Sequence, residues 1–151
     1  MDDAAYNKQK RRLQILAEKW IGPLGLKWWK VDIVYSREPI PSSAGEGWNC
    51  IGKASVRWEY LDAKITFDMQ AIEGMDDDRL EQLFVHECCH ILVHEMREWC
   101  QSEGLGTDAM AAAMKHEERV VCQLTSAFLW THKAGAGKLA GHKVKMPRRK
   151  K

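Results

Sequence analysis

Residues 85–94 contain the pattern His-Glu-x-x-His, in which His86 and His90 lie four positions apart and Glu87 follows the first histidine. On an α-helix, side chains four residues apart lie one above the other on the same face. Two imidazoles so placed can bind one Zn²⁺ ion, with Zn–N distances of about 2.0–2.1 Å. Glu87 would then lie beside the open coordination position, where its carboxylate can accept a proton from water. The pattern therefore requires a helix here and predicts a zinc site.

The sequence around the pattern favours a buried helix. Asp76 and the two acidic residues after it are typical of a helix N-cap and first turn. Apolar residues then surround the pattern on nearly every side: Leu83, Phe84, Val85, Ile91, Leu92 and Val93. A helix that is apolar all round is expected to run through the protein interior. Polar groups buried there need partners, which a metal ion would provide. The alternative is a pair of core histidines satisfied by hydrogen bonds.

The chain before this helix predicts one further helix and three strands. Residues 4–21 show the periodicity of an amphipathic helix, and the run Gly-Pro-Leu-Gly that follows should end it. Alternating apolar and polar residues predict strands in three segments: 29–35, 52–60 and 63–69. The segment 36–48 is rich in Pro, Gly and Ser and is predicted to be a loop.

A second long helix is expected after the motif helix, beginning at Thr107 and ending near His132. The predicted fold is therefore α+β, with an N-terminal helix, a three-stranded sheet, the motif helix and the second long helix. In a zinc peptidase built this way, an edge strand borders the cleft and pairs with an extended substrate. Because the third strand leads directly into the motif helix, residues 64–69 are the predicted edge.

The second long helix should also supply a third metal ligand, since a hydrolytic zinc usually has three protein ligands and one water. Glu117 lies one helical turn before Val121, which belongs to the apolar stripe expected to face inward. Glu117 is therefore the predicted third ligand. Glu118 and His116 are the alternatives on the same helix.

His94 offers another imidazole on the motif helix. A helix turns about 100° per residue, so His94 should lie about 80° round the axis from His86. At this angle, His86, His90 and His94 are poorly placed to bind one ion together, although His94 remains an alternative ligand. It is more reasonably expected beside the site, orienting a ligand or stabilising developing negative charge. Cys88 and Cys89 flank the motif on other faces and are predicted to be small buried residues.

The cysteine pattern and the hydropathy of the chain indicate in which cellular compartment the protein is expected. The five cysteines are odd in number and irregularly spaced, which predicts no disulfide framework and favours a reducing cytoplasm. No apolar run approaches the roughly 18 residues of a membrane helix. The N-terminal segment also lacks the apolar core of a signal peptide. We therefore expect a cytoplasmic location and no membrane partner.

The distribution of charge divides the chain at Lys133. All 21 acidic residues precede this position, whereas eight of the 23 Lys and Arg residues lie at or after it. We expect one domain over residues 1–132 and a basic, disordered tail over residues 133–151. Such a tail could make weak contacts with nucleic-acid phosphates. Without interleaved aromatic residues, however, it is not a dedicated single-strand platform, and a solvated tail is the simpler expectation.

The chain resembles the compact zinc metallopeptidases of the ImmA/IrrE kind, including small phage-encoded metallopeptidases, and more distantly SprT-like proteins. The resemblance covers about residues 6–130 and rests on the His-Glu-x-x-His helix and on the downstream run Glu117-Glu118-Arg119-Val120-Val121. It implies a minimal zincin-like fold, Zn²⁺ held by His86, His90 and Glu117, and Glu87 as catalytic base. The Glu-Ala-Asn-x-Phe-Ala signature often seen at the third ligand is absent.

This resemblance implies a zinc peptidase of narrow specificity that hydrolyses a protein or peptide substrate in the cytoplasm, or in the host cytoplasm if the chain is phage-encoded. The alternative hypothesis is a zinc-stabilised regulatory or binding protein with a vestigial peptidase site, associated with nucleic acid through its basic tail. Both hypotheses predict one bound zinc ion. Only the first predicts proteolysis that a chelator abolishes.

Overall fold

The computed structural model describes residues 1–41, 49–102 and 106–139. These residues form an α+β fold with three helices and a small mixed sheet. The elements in chain order are α1 (Asp3–Trp20), β1 (Lys30–Ser36), β2 (Ile40–Pro41), β3 (Asn49–Cys50), β4 (Gly52–Arg57), β5 (Asp62–Asp68), α2 (Asp77–Ser102) and α3 (Thr107–Leu139). Short 3₁₀ helices lie at Leu26–Trp28 and Trp58–Tyr60.

The main sheet has the strand order β1-β5-β4, with β1 parallel to β5 and β4 antiparallel to it. The inward-facing residues of β5, Ala63, Ile65 and Phe67, are buried, as expected for a strand paired on both sides. The prediction that this third strand forms the sheet edge is therefore wrong. The edge strands are β1 and β4, and β4 is the one packed closely against α2. A separate two-stranded ladder joins β2 to β3.

The motif helix α2 buries one face, whereas its sequence predicts burial all round: Leu92 is 38% exposed, and Leu83 and Val93 are only partly buried. Leu80, Phe84 and Val85 are buried in the core, and the ring of Phe84 stacks on Phe67 of β5 at 5.9 Å. The predicted N-cap is confirmed, because Asp76 Oδ1 accepts a hydrogen bond from the backbone N–H of Arg79 at 2.7 Å. Helix α2 is thus fixed at its start by a local signal and along its length by apolar packing.

Helix α1 is joined to the start of α2 by polar contacts as well as by the core. The indole Nε1–H of Trp20 donates a 2.6 Å hydrogen bond to buried Glu81, which also pairs with Lys19. The guanidinium of Arg12 donates to Asp77 at the first turn of α2. These contacts hold the N-terminal helix against the motif helix on the side where α2 begins.

Two predicted boundaries differ from the structure. The second predicted strand ends at Arg57 rather than Tyr60, because the chain turns through a 3₁₀ helix and the left-handed residue Leu61 before β5. Helix α3 continues past His132 to Leu139, and the His132 ring packs on Trp20 of α1 at 4.7 Å. The rest of the basic tail, residues 140–151, lies outside the described residues.

The segment 36–48, which is predicted to be a loop, also contains the short strand β2. Its antiparallel partner β3 begins directly after this segment. Residues 42–48 lie outside the described part of the chain. Within the described helices, none combines the length and the apolar character needed to cross a membrane.

Candidate metal centre

Helix α2 brings the two motif histidines together in the way that their spacing predicts. The Nε2 atoms of His86 and His90 lie 3.2 Å apart, and the two ring planes are inclined at 79°. Two nitrogens bound to one tetrahedral zinc at its usual bond length would be separated by about 3.3–3.4 Å. The two imidazoles therefore already have the separation that a shared ion requires.

A carboxylate from α3 completes a triangle with these nitrogens. Glu118 Oε1 lies 3.2 Å from His86 Nε2, and Glu118 Oε2 lies 3.5 Å from His90 Nε2. Among the described residues, His86, His90 and Glu118 form the group of ligand atoms close enough together to hold one metal ion. Since the Glu118 side chain is 54% exposed, the triangle lies near the surface and can be reached from solvent.

Glu117, the third ligand expected from the sequence, contacts the opposite side of the His90 ring. Its Oε1 accepts a 3.0 Å hydrogen bond from His90 Nδ1–H, and its side chain is buried. This bond fixes the tautomer of His90 and leaves the Nε2 lone pair directed toward His86 and Glu118. Glu118 therefore takes the place of Glu117 as the candidate third ligand, and Glu117 is placed to orient a ligand.

The apolar stripe of α3 correctly predicts that Glu117 points into the protein. There, however, Glu117 contacts Nδ1 of His90 and not the Nε2 atoms of the two histidines. The ligand triangle lies at the margin of the α2–α3 interface, which Glu118 reaches from the next position along the helix. His116, the other alternative, is exposed and is not part of the triangle.

The environment acts differently on the two histidines. For His86, burial disfavours the charged ring and lowers its pKa, although Glu118 opposes this effect. For His90, burial acts in the same direction, but the hydrogen bond to Glu117 and the surrounding carboxylates outweigh it, so its pKa is raised. The carboxylates of Glu87, Glu117 and Glu118 thus act together on this ring.

Glu87 lies on the side of the site that faces β4. Burial raises the pKa of its carboxyl from 4.5 to about 7, while nearby His90 and a hydrogen bond from the Ala54 backbone N–H act in the opposite direction. Gly52 of β4 makes the closest approach to this carboxylate. A Cβ atom at Gly52 would lie 2.8 Å from Glu87 Oε1 and 3.0 Å from both Cδ and Cγ. The absence of a side chain at Gly52 therefore leaves the space that Glu87 occupies.

The backbone of β4 borders the site along its outer edge. The carbonyl of Ile51 accepts a hydrogen bond from Asp68 N–H at 2.9 Å. Because bonded and outward-facing residues alternate in an antiparallel ladder, Gly52, Ala54 and Val56 direct their backbone groups away from β5. In the described part of the chain, no other strand pairs with this edge. Strand β4 thus offers hydrogen-bonding groups beside Glu87.

The remaining polar residues of α2 are not brought into the triangle. His94 Nε2 lies 3.1 Å from Glu98 Oε1 on the next turn of the same helix, and no role for His94 in the site follows from this contact. Cys88 and Cys89 are both fully buried, as predicted, and burial raises the pKa of each thiol. Neither is expected to provide a thiolate ligand.

Sequence reasoning missed two groups of the site, Gly52 and the Ala54 backbone. Their proximity to Glu87 results from the packing of β4 on α2, which no local pattern indicates. The complete arrangement offers a cation three ligand atoms, and beside them lie a buried carboxylate and a strand edge with which no other described strand pairs. Comparisons with protein-family models, with curated proteins and with solved structures gave no match to this chain.

Proposed function

We propose that the protein is a zinc-dependent peptidase in which His86, His90 and Glu118 hold the metal ion. The observation that carries this proposal is the closeness of the ligand atoms: the two histidine Nε2 atoms lie 3.2 Å apart, and the two oxygens of Glu118 lie 3.2 Å from His86 Nε2 and 3.5 Å from His90 Nε2. These distances are close to the edge lengths of a tetrahedron around Zn²⁺, for which nitrogen and carboxylate oxygen are ordinary ligands. A triangle of three protein ligands leaves a fourth position open, which is the arrangement of catalytic rather than structural zinc.

Zinc bound here would polarise a peptide carbonyl and make water more acidic. Glu87 would accept the proton of the attacking water at its carboxylate and pass it to the nitrogen of the departing amine. The Ala54 N–H would hold that carboxylate by its hydrogen bond, and the absence of a side chain at Gly52 would leave room for it. Glu117 would keep His90 in the required tautomer through the bond to Nδ1.

The substrate in this proposal is a protein segment in extended conformation. The outward-facing backbone groups of Gly52 and Val56, together with the carbonyl of Ala54, could pair with it as an added strand, which supplies affinity with little dependence on sequence. The order of helix, sheet, motif helix and second helix agrees with the zincin-like fold implied by the resemblance to ImmA/IrrE peptidases. A cytoplasmic location fits the free thiols of Cys50, Cys88, Cys89 and Cys122.

The experiment compares the zinc-loaded wild-type protein with Glu87→Gln on a peptide library derived from a cellular proteome, with mass spectrometry to identify cleavage sites. We expect cleavage by the wild type, its loss on adding a chelator, and recovery on returning zinc. Glu87→Gln should retain zinc but cleave at least about 10²-fold more slowly. Cleavage at the wild-type rate by Glu87→Gln would contradict the role of this residue. Zinc binding without cleavage of any peptide or protein would favour the zinc-stabilised binding protein instead.

A further inference from the structure

A cavity of about 370 Å³ adjoins the candidate metal centre on the side where α2 begins. It is lined by Ile51, Met75, Arg79, Gln82, Leu83 and His86. His86 is shared with the ligand triangle, so the cavity opens beside the metal position. Leu83 lies about one helical turn before His86 and Arg79 about two turns before it, which gives the cavity a length of about 10 Å along the helix.

Three of the six described residues that line the cavity are apolar. Ile51, Met75 and Leu83 are partly buried and pack against the hydrophobic core, so their positions are well fixed. Ile51 also immediately precedes β4, whose outer edge borders Glu87. A peptide paired with this edge would therefore direct a side chain beside the metal centre into the cavity, and the walls would cover the methylene groups of that side chain.

Arg79 gives the end of the cavity a positive charge. Its backbone N–H donates a hydrogen bond to the N-cap residue Asp76, but its guanidinium forms no ion pair with a carboxylate of any described residue. By contrast, Arg12, Arg37 and Arg57 each form an ion pair with an aspartate. Among the described residues that line the cavity, none is acidic. A carboxylate entering the cavity would thus meet an available guanidinium and no competing negative side chain from the described lining.

We infer that this cavity selects a substrate residue with an acidic side chain, glutamate fitting better than aspartate, next to the peptide bond that is cut. The inference rests on the proposed peptidase function. An arginine guanidinium can bind a carboxylate through two parallel hydrogen bonds, and the apolar walls would favour the longer side chain. A lysine or arginine side chain would instead meet a like charge. Arg79 is accordingly the residue that determines specificity at this position.

The test uses ligands that carry their own metal-binding group, so that it does not depend on knowing the natural substrate. Adipic and suberic acid monohydroxamates present a carboxylate at the far end of the chain. Their matched neutral counterparts carry a carboxamide there instead. The dissociation constants of all four are measured by calorimetry with the zinc-loaded wild type, Arg79→Leu, Arg79→Lys and the control Arg11→Leu, which removes an exposed arginine of α1 that does not line the cavity.

We expect at least one carboxylate probe to bind the wild type about ten-fold more tightly than its carboxamide counterpart. The difference should disappear in Arg79→Leu, persist in part in Arg79→Lys and be unchanged in Arg11→Leu. Equal binding of each matched pair to the wild type would overturn the inference, as would a preference that survives in Arg79→Leu. If no probe binds although zinc is retained, the cavity inference also fails, while the peptide-library cleavage decides the proposed function separately.

Discussion

Substituting Gly52 tests whether β4 positions the carboxylate of Glu87. A Cβ atom at this position would lie 2.8 Å from Glu87 Oε1, against about 3.5–4.0 Å for a comfortable contact between non-bonded atoms. The carboxylate must therefore move by roughly 0.5–1 Å in Gly52→Ala. Misplacement of about 1 Å can cost about 10²-fold in rate, so we expect turnover to fall by about 10–100-fold.

Zinc binding should survive this substitution, because the three nearest heavy atoms to the new Cβ all belong to Glu87 rather than to a ligand of the triangle. Stability should fall by no more than about 1–3 kcal/mol, the usual cost of one extra buried methyl group. Gly22→Ala is the matched control, since a Cβ there meets no atom within 4 Å. The assays are turnover on a peptide found in the library, zinc content and unfolding in urea.

A double-mutant cycle separates the steric effect on Glu87 from a general disturbance of β4. In Glu87→Asp the carboxylate is one methylene shorter and withdraws from position 52, so adding Gly52→Ala should cost much less there than in the wild type. Turnover of Gly52→Ala at the wild-type level would refute the positioning role. An equal loss in both backgrounds would show that the effect does not pass through the Glu87 carboxylate.

Four further substitutions test the contacts described. Glu118→Ala should abolish stoichiometric zinc binding, whereas Glu117→Gln should weaken zinc affinity by about 10–100-fold. Zinc affinity is measured in competition with a chelating dye. A larger loss of zinc affinity in Glu117→Gln than in Glu118→Ala would contradict the assignment of the third ligand. Phe84→Ala should lower the free energy of unfolding by about 3–5 kcal/mol in urea titrations, because this ring is fully buried, and a loss below about 1 kcal/mol would be inconsistent with that packing. Trp20→Phe removes the hydrogen bond to buried Glu81 and should cost about 1–3 kcal/mol in the same assay; wild-type stability would show that this bond contributes nothing.

The elements that local sequence signals specify could be predicted well. The start of α2 depends on Asp76, whose side chain bonds a backbone N–H three residues later, and this contact needs no information from the rest of the chain. The pairing of His86 with His90 likewise follows from helical geometry alone. The burial of Cys88 and Cys89 follows from the apolar residues around them.

The features that depend on packing between elements could not be predicted in the same way. The order of strands in a sheet need not follow the chain, and β5 is central because β1 joins its second side in parallel. Similarly, Glu117 and Glu118 lie on adjacent rows of α3, and only the way α3 packs on α2 decides which carboxylate reaches the histidine nitrogens. The contact between His132 of α3 and Trp20 of α1 likewise joins residues that are far apart in sequence.

The identity of the metal ligands can be measured directly by zinc K-edge X-ray absorption on the protein loaded with one equivalent of zinc. We expect a first shell of nitrogen and oxygen only, at about 2.0–2.2 Å, with the outer-shell scattering of two imidazoles from His86 and His90. Glu118→Ala should alter that shell or prevent loading. Failure of the wild type to take up zinc, or a sulfur shell at about 2.3 Å from a cysteine, would contradict a site formed by His86, His90 and Glu118.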